Sequence, residues 1–442
     1  MTDPAAPLRV AVVARATMPL HGIGGLERSV RDLVRHLARL NVAVTLITPP
    51  PSIARRVTVD PFASPNIQVR HVSYLTFPLA NRRGTTILDR STAYLLFGVR
   101  AGRLARRLAR AGEADIVHGF GASVLGYTLG RRGSPAPLVL NPQGLEEFGA
   151  TGRGLPWGKR AGYAPLRSAV RRCARAADAI IATDASLEPA VTRHLRLGRD
   201  RLWTIPNGID LLEAAAFAGP AEGAIIRQRH GISTGETVLL SVGRLEENKG
   251  FDVMAAALAR GARPGSPLSA TGWRWVIVGA GPFRRTIEQA VETHGLGAHV
   301  LFAGRAPDED LHAWYEAANV FVHPTRYEGS SLVTLEAMAH RRPVIATRAG
   351  GLPDKVRPGT NGWLVEPDDA IGLSQAIVDA TSSAGQLAAM GAHSRAIVEA
   401  EFAWPVIAER HVEMYKALRQ AQRHGPRAQG QGRESAPTRS RS

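Results

Sequence analysis

Residues 327–339 read "YEGSSLVTLEAMA", with Glu328 and Glu336 eight positions apart and Gly329, Ser330, Ser331 and Leu332 between them. The strand-like "VFVHP" comes just before, and the apolar run around Glu336 has helical spacing. A strand, a Gly-Ser turn and a helix start offer unpaired backbone amides to an anion, and the helix dipole favours negative charge there. Phosphate suits such a turn, so the carboxylates must serve something beside it. Glu336, one to two turns into the helix, can accept hydrogen bonds from a vicinal diol such as that of ribose. Glu328, in the loop, can meet sugar hydroxyls or a developing positive charge. The pair suits a phosphate with a sugar on either side.

Two further stretches could supply the positive charge. In "SVGRLEENKG" (241–250) a buried strand ends at Gly243, followed by Arg244, a short polar loop, Lys249 and Gly250. Arginine grips phosphate oxygens bidentately and lysine adds a point charge, although isolated surface cations would be unremarkable. "HGIGGLERSVRDLVRHL" places Gly22, Gly24 and Gly25 before a helix, which lets backbone approach a ligand closely or simply makes a tight turn. "VIVGAGP" (276–282) lacks the full G-x-G-x-x-G pattern, and no acidic residue ends the next strand, so a dinucleotide site is not expected there.

The elements that must carry these residues repeat along the chain. Short apolar runs alternate with helical patterns, the signature of βα units and parallel sheets. Strands are expected at 9–15, 42–48, 67–72, 115–120, 137–141, 179–183 and 201–210, where the last ends in a Pro-Asn-Gly turn. A second series follows at 237–244, 275–281, 300–305, 320–324, 343–347 and 362–367. Each half reads as a doubly wound α/β sheet, and ligands of such sheets bind beyond the carboxyl ends of the strands. The expected division is 1–208, 209–403, a helix over 404–420 packing back across the junction, and a structureless, basic tail over 421–442.

At 442 residues and 44% apolar, the chain can bury two or three cores. "LRVAVVA" reads as a buried strand rather than a signal peptide, and no run approaches 18 consecutive apolar residues. The single cysteine, Cys173, excludes an internal disulfide and fits a reducing, cytoplasmic setting. Residues 1–210 carry 30 Lys plus Arg against 14 Asp plus Glu, whereas the rest carries 25 against 24. An anionic partner on the basic side is one reading of this asymmetry, and compositional bias is the other, since only four lysines occur. Residues 85–111 and 159–175 are candidates for basic helices; Arg160, Arg167, Arg171 and Arg175 recur near helical spacing, either as a solvated face or as one suited to an anionic membrane or phosphate-linked lipid. The basic residues are not interleaved with aromatics and no nucleic-acid module appears, so nucleic acid is not expected as a partner.

Together, "GRLEENKG", "YEGSSLVTLEAMA" and "RAGGLPDKV" resemble the donor half of the family 4 glycosyltransferases, retaining GT-B enzymes with an E-x7-E motif. The Gly-Gly turn, "DIVHGFG" and "NPQGLEEF" follow in the expected order, and the resemblance spans roughly residues 8–418. It implies two Rossmann-like domains facing a cleft, a nucleotide-sugar donor, a glycan or lipid-linked acceptor, and no essential metal or other cofactor. Residue by residue, it implies Arg244 and Lys249 on the donor diphosphate and Glu336 on the ribose. Glu328 and the backbone of Gly329, Ser330, Ser331 and Leu332 would hold the donor sugar and pyrophosphate. The backbone at Arg305 and Ala306 would meet the base, and Gly24 and Gly25 would close on the phosphate. His118 would stand by the transferred sugar, with Glu27 and Glu146 on the acceptor side. Ser330 and Ser331 depart from the Phe and Gly that often follow "EG" in the family.

The same residues imply a mechanism. Departure of the leaving group places negative charge on a diphosphate that Arg244, Lys249 and the helix amides stabilise, taking the part of a metal. No carboxylate nucleophile stands at the required place in the first half, so front-face attack through an oxocarbenium-like ion pair is expected. A GT-B sugar-nucleotide epimerase is the main alternative, and product analysis separates the two.

Overall fold

The computed structural model describes residues 7–22, 24–51, 60–75, 86–131, 134–142, 145–149, 157–270, 272–382 and 384–424. The first sheet comprises β1 (Arg9–Val13), β2 (Ala43–Thr48), β3 (Ile67–His71), β4 (Ile116–Phe120), β5 (Leu138–Asn141), β6 (Ala179–Ala182) and β7 (Leu202–Thr204). The second comprises β8 (Thr237–Val242), β9 (Trp273–Val278), β10 (Val300–Gly304), β11 (Val320–His323), β12 (Val344–Thr347) and β13 (Gly362–Val365). Each expected strand is present, and β9 begins two residues early because Trp273 is buried and paired with Thr237.

The orders are β3-β2-β1-β4-β5-β6-β7 and β10-β9-β8-β11-β12-β13. All neighbours are parallel. Winding reverses between β1 and β4 in one sheet and between β8 and β11 in the other. At such a switch point adjacent loops diverge and leave a crevice beyond the strand ends. The chain turns that bear Gly24, Phe120, Arg244 and Glu328 leave these four strands. Sequence patterning and topology thus converge on one region.

Helices cover both faces, among them α1 (Gly25–Arg39), α2 (Ala93–Arg110), α3 (Ala164–Ala176), α4 (Phe251–Gly261), α5 (Asp308–Ala317), α6 (Leu332–Ala339) and α7 (Trp404–His424). Strands such as "AIIA" and "VIAT" are buried throughout, and apolar but for Thr347, because both their faces are covered. Helix α7 returns to the first sheet, where Trp404, Ile407, Met414 and Tyr415 share a core with Val10, Val12, Val30 and Leu33. Burial of each large side chain there stabilises by about 1.5–3 kcal/mol relative to exposure. The helix runs to His424, so residues 421–424 are helical rather than part of a tail; residues 425–442 lie outside those described.

The two passages between the domains lie side by side. The Ile209 amide donates to Phe402 O at 2.9 Å and the Trp404 amide donates to Ile209 O at 3.1 Å. Asp210 then caps the next helix, accepting from the Leu212 and Glu213 amides, while its other oxygen contacts His36 of α1 at 3.2 Å. A wholly buried ion pair, Lys355–Asp184, joins the loop after β12 to the end of β6. Ser186 adds a bond from its hydroxyl to Gly350 O at 2.7 Å.

Candidate active site

The turn after β8 and the loop after β11 meet. Gly250 has φ +66°, and a Cβ there would lie 2.0 Å from Pro324 O, so only glycine lets the Lys249 turn press against the end of β11. Lys249 Nζ therefore reaches Glu328 Oε2 at 2.6 Å. The same oxygen contacts His323 Nε2 at 2.7 Å. Glu328 Oε1 accepts only a longer bond from the Gly329 amide at 3.2 Å. Burial alone would raise the Glu328 carboxyl, but the Lys249 ammonium and His323 hold it well below the usual carboxylate range. It is a fixed anion throughout the neutral range.

Glu336 lies on α6, whose N-cap is Ser331: its hydroxyl accepts from the Thr334 amide at 3.4 Å and from the Thr334 hydroxyl at 2.9 Å. That cap explains the serine at 331 locally, leaving the amides of 332 and 333 toward the loop. Glu336 is 6% exposed and held at both oxygens. Tyr315 donates to Oε2 at 2.9 Å, and Arg28 of α1 donates to Oε1 at 3.3 Å and to Asp308 at 3.1 Å. Burial, reinforced by the Glu336 charge, pushes the Tyr315 phenol well up, so it stays a donor. Gly25 completes the approach of the domains, since a Cβ there would lie 3.2 Å from Leu332 Cδ1.

Arg244 is 78% exposed at the mouth of a cavity of about 930 Å³, with Glu246 as its ion-pair partner. That cavity lies mainly against the first domain, where Gly24, Gly25, Glu27, Tyr74, Tyr94 and Phe120 line it. Its size falls within the range of small-ligand sites. The Glu27 carboxylate folds back over the glycine turn, about where a Cβ on Gly24 would stand. Glu146 opens a short 3₁₀ turn, but its side chain lies outside those described; Glu147 lines the cavity beside it. Arg305 is exposed and Ala306 half-buried in the loop between β10 and α5. Ser330 and Gly329 are half-buried between the two glutamates. Among the described residues no group of three or more His, Cys, Asp or Glu could hold a metal ion.

The structure does not put His118 in the cavity. It sits mid-strand opposite Val12, is fully buried, and meets Tyr415 of α7 through Nδ1 at 2.6 Å. Its ring lies between Phe120 (centroids 5.0 Å) and His411 (5.8 Å). Burial and His411 hold it well below its ordinary pKa, hence neutral. Two residues nearer the carboxyl end, Phe120 lines the cavity instead. The basic face expected on 159–175 is also partly spent internally. Arg171 donates to His194 O at 2.9 Å and covers Phe148, and Arg167 donates to Glu147 O at 3.2 Å. Of that face Arg160 and Arg175 remain exposed, and Arg172 and Trp157, the latter 85% exposed, are exposed as well.

Sequence reasoning passed over His323, Tyr315 and Arg28. His323 closes the strand "VFVHP" five residues before Glu328, a signal within reach. Tyr315 and Arg28 are brought to Glu336 only by tertiary folding.

Two facing parallel α/β domains with their switch points on one cleft define the GT-B class of nucleotide-sugar enzymes. Two family models match in tandem: "Glycosyltransferase Family 4" over residues 23–212 and "Glycosyl transferases group 1" over 224–396. The D-inositol 3-phosphate glycosyltransferase of Streptomyces avermitilis is 26% identical over 439 residues, 96% of this chain and 90% of that protein. A GDP-mannose-dependent monoacylated alpha-(1-6)-phosphatidylinositol monomannoside mannosyltransferase of Corynebacterium glutamicum is 33% identical over 215 residues, spanning 47% of this chain and 54% of that one. Among solved structures, sucrose-phosphate synthase from Thermosynechococcus elongatus superposes with a TM-score of 0.73 at 25% identity, covering 94% of this chain and all of that one. Anabaena HepE in complex with UDP gives 0.66 at 20% identity, covering 93% and 100%. The chain belongs to the family 4 glycosyltransferases and is an enzyme that transfers a sugar from a nucleotide donor.

Proposed function

We propose that the chain is a retaining, metal-independent hexosyltransferase that uses a UDP-sugar or GDP-mannose and acts on a cell-envelope glycan or lipid-linked acceptor. The observation that carries this reading is the Lys249–Glu328 contact at 2.6 Å beside the α6 N-terminus, at the switch point of the second sheet. Lys249 and Arg244 take the diphosphate, with the amides from Gly329 to Leu332 and the Gly24–Gly25 turn closing on it. Glu336 takes the ribose diol, Glu328 Oε1 a donor-sugar hydroxyl, and the backbone at Arg305 and Ala306 the base. Glu27 faces the acceptor, with Glu146 and its neighbour Glu147 on the same side. The names of relatives that use GDP-mannose or act on inositol compounds support a polyol-bearing acceptor.

In the reaction the bond between the anomeric carbon and the β-phosphate oxygen breaks, and charge gathers on the diphosphate. Fixed cations and dipoles are worth most there, because they need no reorganisation as charge develops. Glu328 is saturated at Oε2 by Lys249 and His323, which makes it an electrostatic and hydrogen-bonding group rather than a nucleophile. The acceptor hydroxyl attacks from the face the phosphate leaves, and a phosphate oxygen takes its proton. Exposed Trp157, Arg160, Arg172 and Arg175 suit an anionic membrane surface, which would bring a lipid-linked acceptor to the cleft. No helix among the described residues is long and apolar enough to cross a membrane.

A thermal-shift panel of UDP, GDP and ADP, followed by donor hydrolysis without acceptor, tests the reading. One diphosphate should raise Tm, and its sugar conjugate should be hydrolysed slowly in excess EDTA. Full turnover by Lys249→Ala would remove the lysine from the mechanism and this reading with it.

A further inference from the structure

His323 is a buried histidine for which sequence patterning gives no task. It is 0% exposed at the carboxyl end of β11, a strand bonded to β8 and β12, and its ring stacks on Phe321 with centroids 5.8 Å apart. Strand and stacking leave the imidazole little freedom. Nε2 lies 2.7 Å from Glu328 Oε2, while Nδ1 is buried with no partner among the described residues. A carboxylate only accepts, so Nε2 carries the proton, and Nδ1 is left with a lone pair rather than an unpaired N–H. Protonating Nδ1 would bury an unpartnered charge-bearing N–H, a costly state.

Glu328 Oε2 thus receives two donors at once, from Lys249 and from His323. The glutamate sits in a loop with no helix or strand of its own to fix its χ angles. Lys249 likewise lies in a short turn, with four rotatable bonds. Neither long side chain is held by its own element; the ring on β11 is the one rigid member of the three. We infer that His323 is a positioning residue: by donating Nε2–H to Glu328 it fixes that carboxylate and, through it, aims the Lys249 ammonium at the diphosphate while leaving Glu328 Oε1 for a sugar hydroxyl.

This inference rests on the donor-site reading of Lys249 and Glu328 and adds the group that holds them. The charged groups bearing on the cluster are few. Lys249 comes from the turn after β8 and Glu328 from the loop after β11. The nearby guanidinium of Arg326 is engaged by Asp252 at 2.7 Å and by Asp368 at 2.5 Å, so it does not compete for the glutamate. Burial lowers the His323 pKa and Glu328 only partly offsets this, so the ring stays neutral across the working range. Loss of its N–H would leave Glu328 Oε2 with Lys249 as its one donor.

The test compares His323→Gln, whose amide N–H falls near the Nε2 position, with His323→Leu, which has no donor. Steady-state donor hydrolysis and transfer are read from pH 4.5 to 9, with circular dichroism and Tm confirming the fold. His323→Leu should lower kcat/KM by about 10- to 100-fold, the worth of a hydrogen bond to a charged group. The loss should fall on kcat rather than on the donor KM, while His323→Gln keeps most of the rate. If His323→Leu does not fold, His323→Asn replaces it, since its shorter amide cannot reach Glu328; equal kcat for Asn and Gln overturns the inference. A wild-type profile in His323→Leu also overturns it. Lys249→Ala, measured alongside, separates the two layers. If it is inactive while His323→Leu is normal, only the positioning role fails; if it is fully active, the donor-site reading itself fails.

Discussion

The Lys355–Asp184 pair is the sharpest place to test how the two domains are held together. Both side chains are 0% exposed, and they come from different domains. Lys355 Nζ also donates to Gly351 O at 3.1 Å and lies 5.5 Å from the centre of the Phe402 ring. Burial is strong enough to hold the Asp184 carboxyl above its ordinary value even with the ammonium against it. Lys355→Met removes the cation and leaves a buried carboxylate, which costs about 3–5 kcal/mol. With about 2–4 °C lost per kcal/mol, Tm should fall by roughly 10 °C. The partner substitution must be isosteric, because a Cβ on Gly351 would already stand 2.3 Å from the Asp184 carboxyl carbon. Asp184→Asn in the Lys355→Met background removes the stranded charge and should recover most of the loss. The sign with pH follows from the raised Asp184 pKa: the folded variant binds more protons than the unfolded chain, so its deficit against wild type grows as pH rises. Scanning calorimetry on wild type, both single variants and the double variant at pH 5.5 and 8 measures all of this. A Lys355→Met deficit under about 1 kcal/mol, or one equal at both pH values, would refute the claim that a desolvated charge is what the lysine neutralises.

Other outcomes follow from the same geometry. Glu336→Ala should weaken nucleoside diphosphate binding by about tenfold or more in calorimetric titration, because a charged acceptor for two hydroxyls is lost. His312 and His411 are each pushed down to about 4, chiefly by burial. Unfolding returns them to about 6.5, so stability is full above that value and falls on acidification, by about 2 kcal/mol each at pH 5. Tm measured at pH 7.5 and 5 should show the decline, and His411→Phe should reduce it. Binding to phosphatidylglycerol vesicles should weaken with salt and on joint Arg172→Gln and Arg175→Gln substitution; affinity equal at 50 mM and about 500 mM salt would count against the membrane surface.

The sheets were legible because central strands covered on both faces, such as those with "VAVV" and "WVIV", write unbroken apolar runs, whereas the edge strand "IQVRH" is partly exposed and carries a weaker signal. "RLWTIPNGID" shows the limit of that signal. Its apolar content extends to Ile209, yet β7 stops at Thr204: the Ile205 amide still bonds to Ala182 O at 3.0 Å, but Pro206 has no N–H to continue the ladder, and Ile209 pairs instead with Ala403 at the approach to α7. Lys249, Glu328 and Glu336 were legible because turn chemistry and charge lie together in short stretches. Arg28 and Tyr315 were not, since the Gly24–Gly25 turn beside Arg28 gives no sign of an acidic partner, and Tyr315 reads as a core aromatic. Their partner, Glu336, is 308 and 21 positions away.

His118 shows the converse failure, in which a motif is intact and its side chain faces the wrong depth. A histidine near the end of a parallel strand reads as a cleft residue, and the strand does end in the cleft. Residues two apart share a face, so His118 and Phe120 point the same way, and depth along the strand decides which of them reaches the opening. Helix α7 settles that depth: Tyr415 and His411 cover the sheet at the level of His118, leaving Phe120 as the outermost side chain of β4. A helix some 290 residues downstream therefore decides whether a histidine is chemistry or core. The same reasoning explains why His323 does reach the site from β11. It is the final residue of its strand, with the Glu328 carboxylate of the following loop 2.7 Å away.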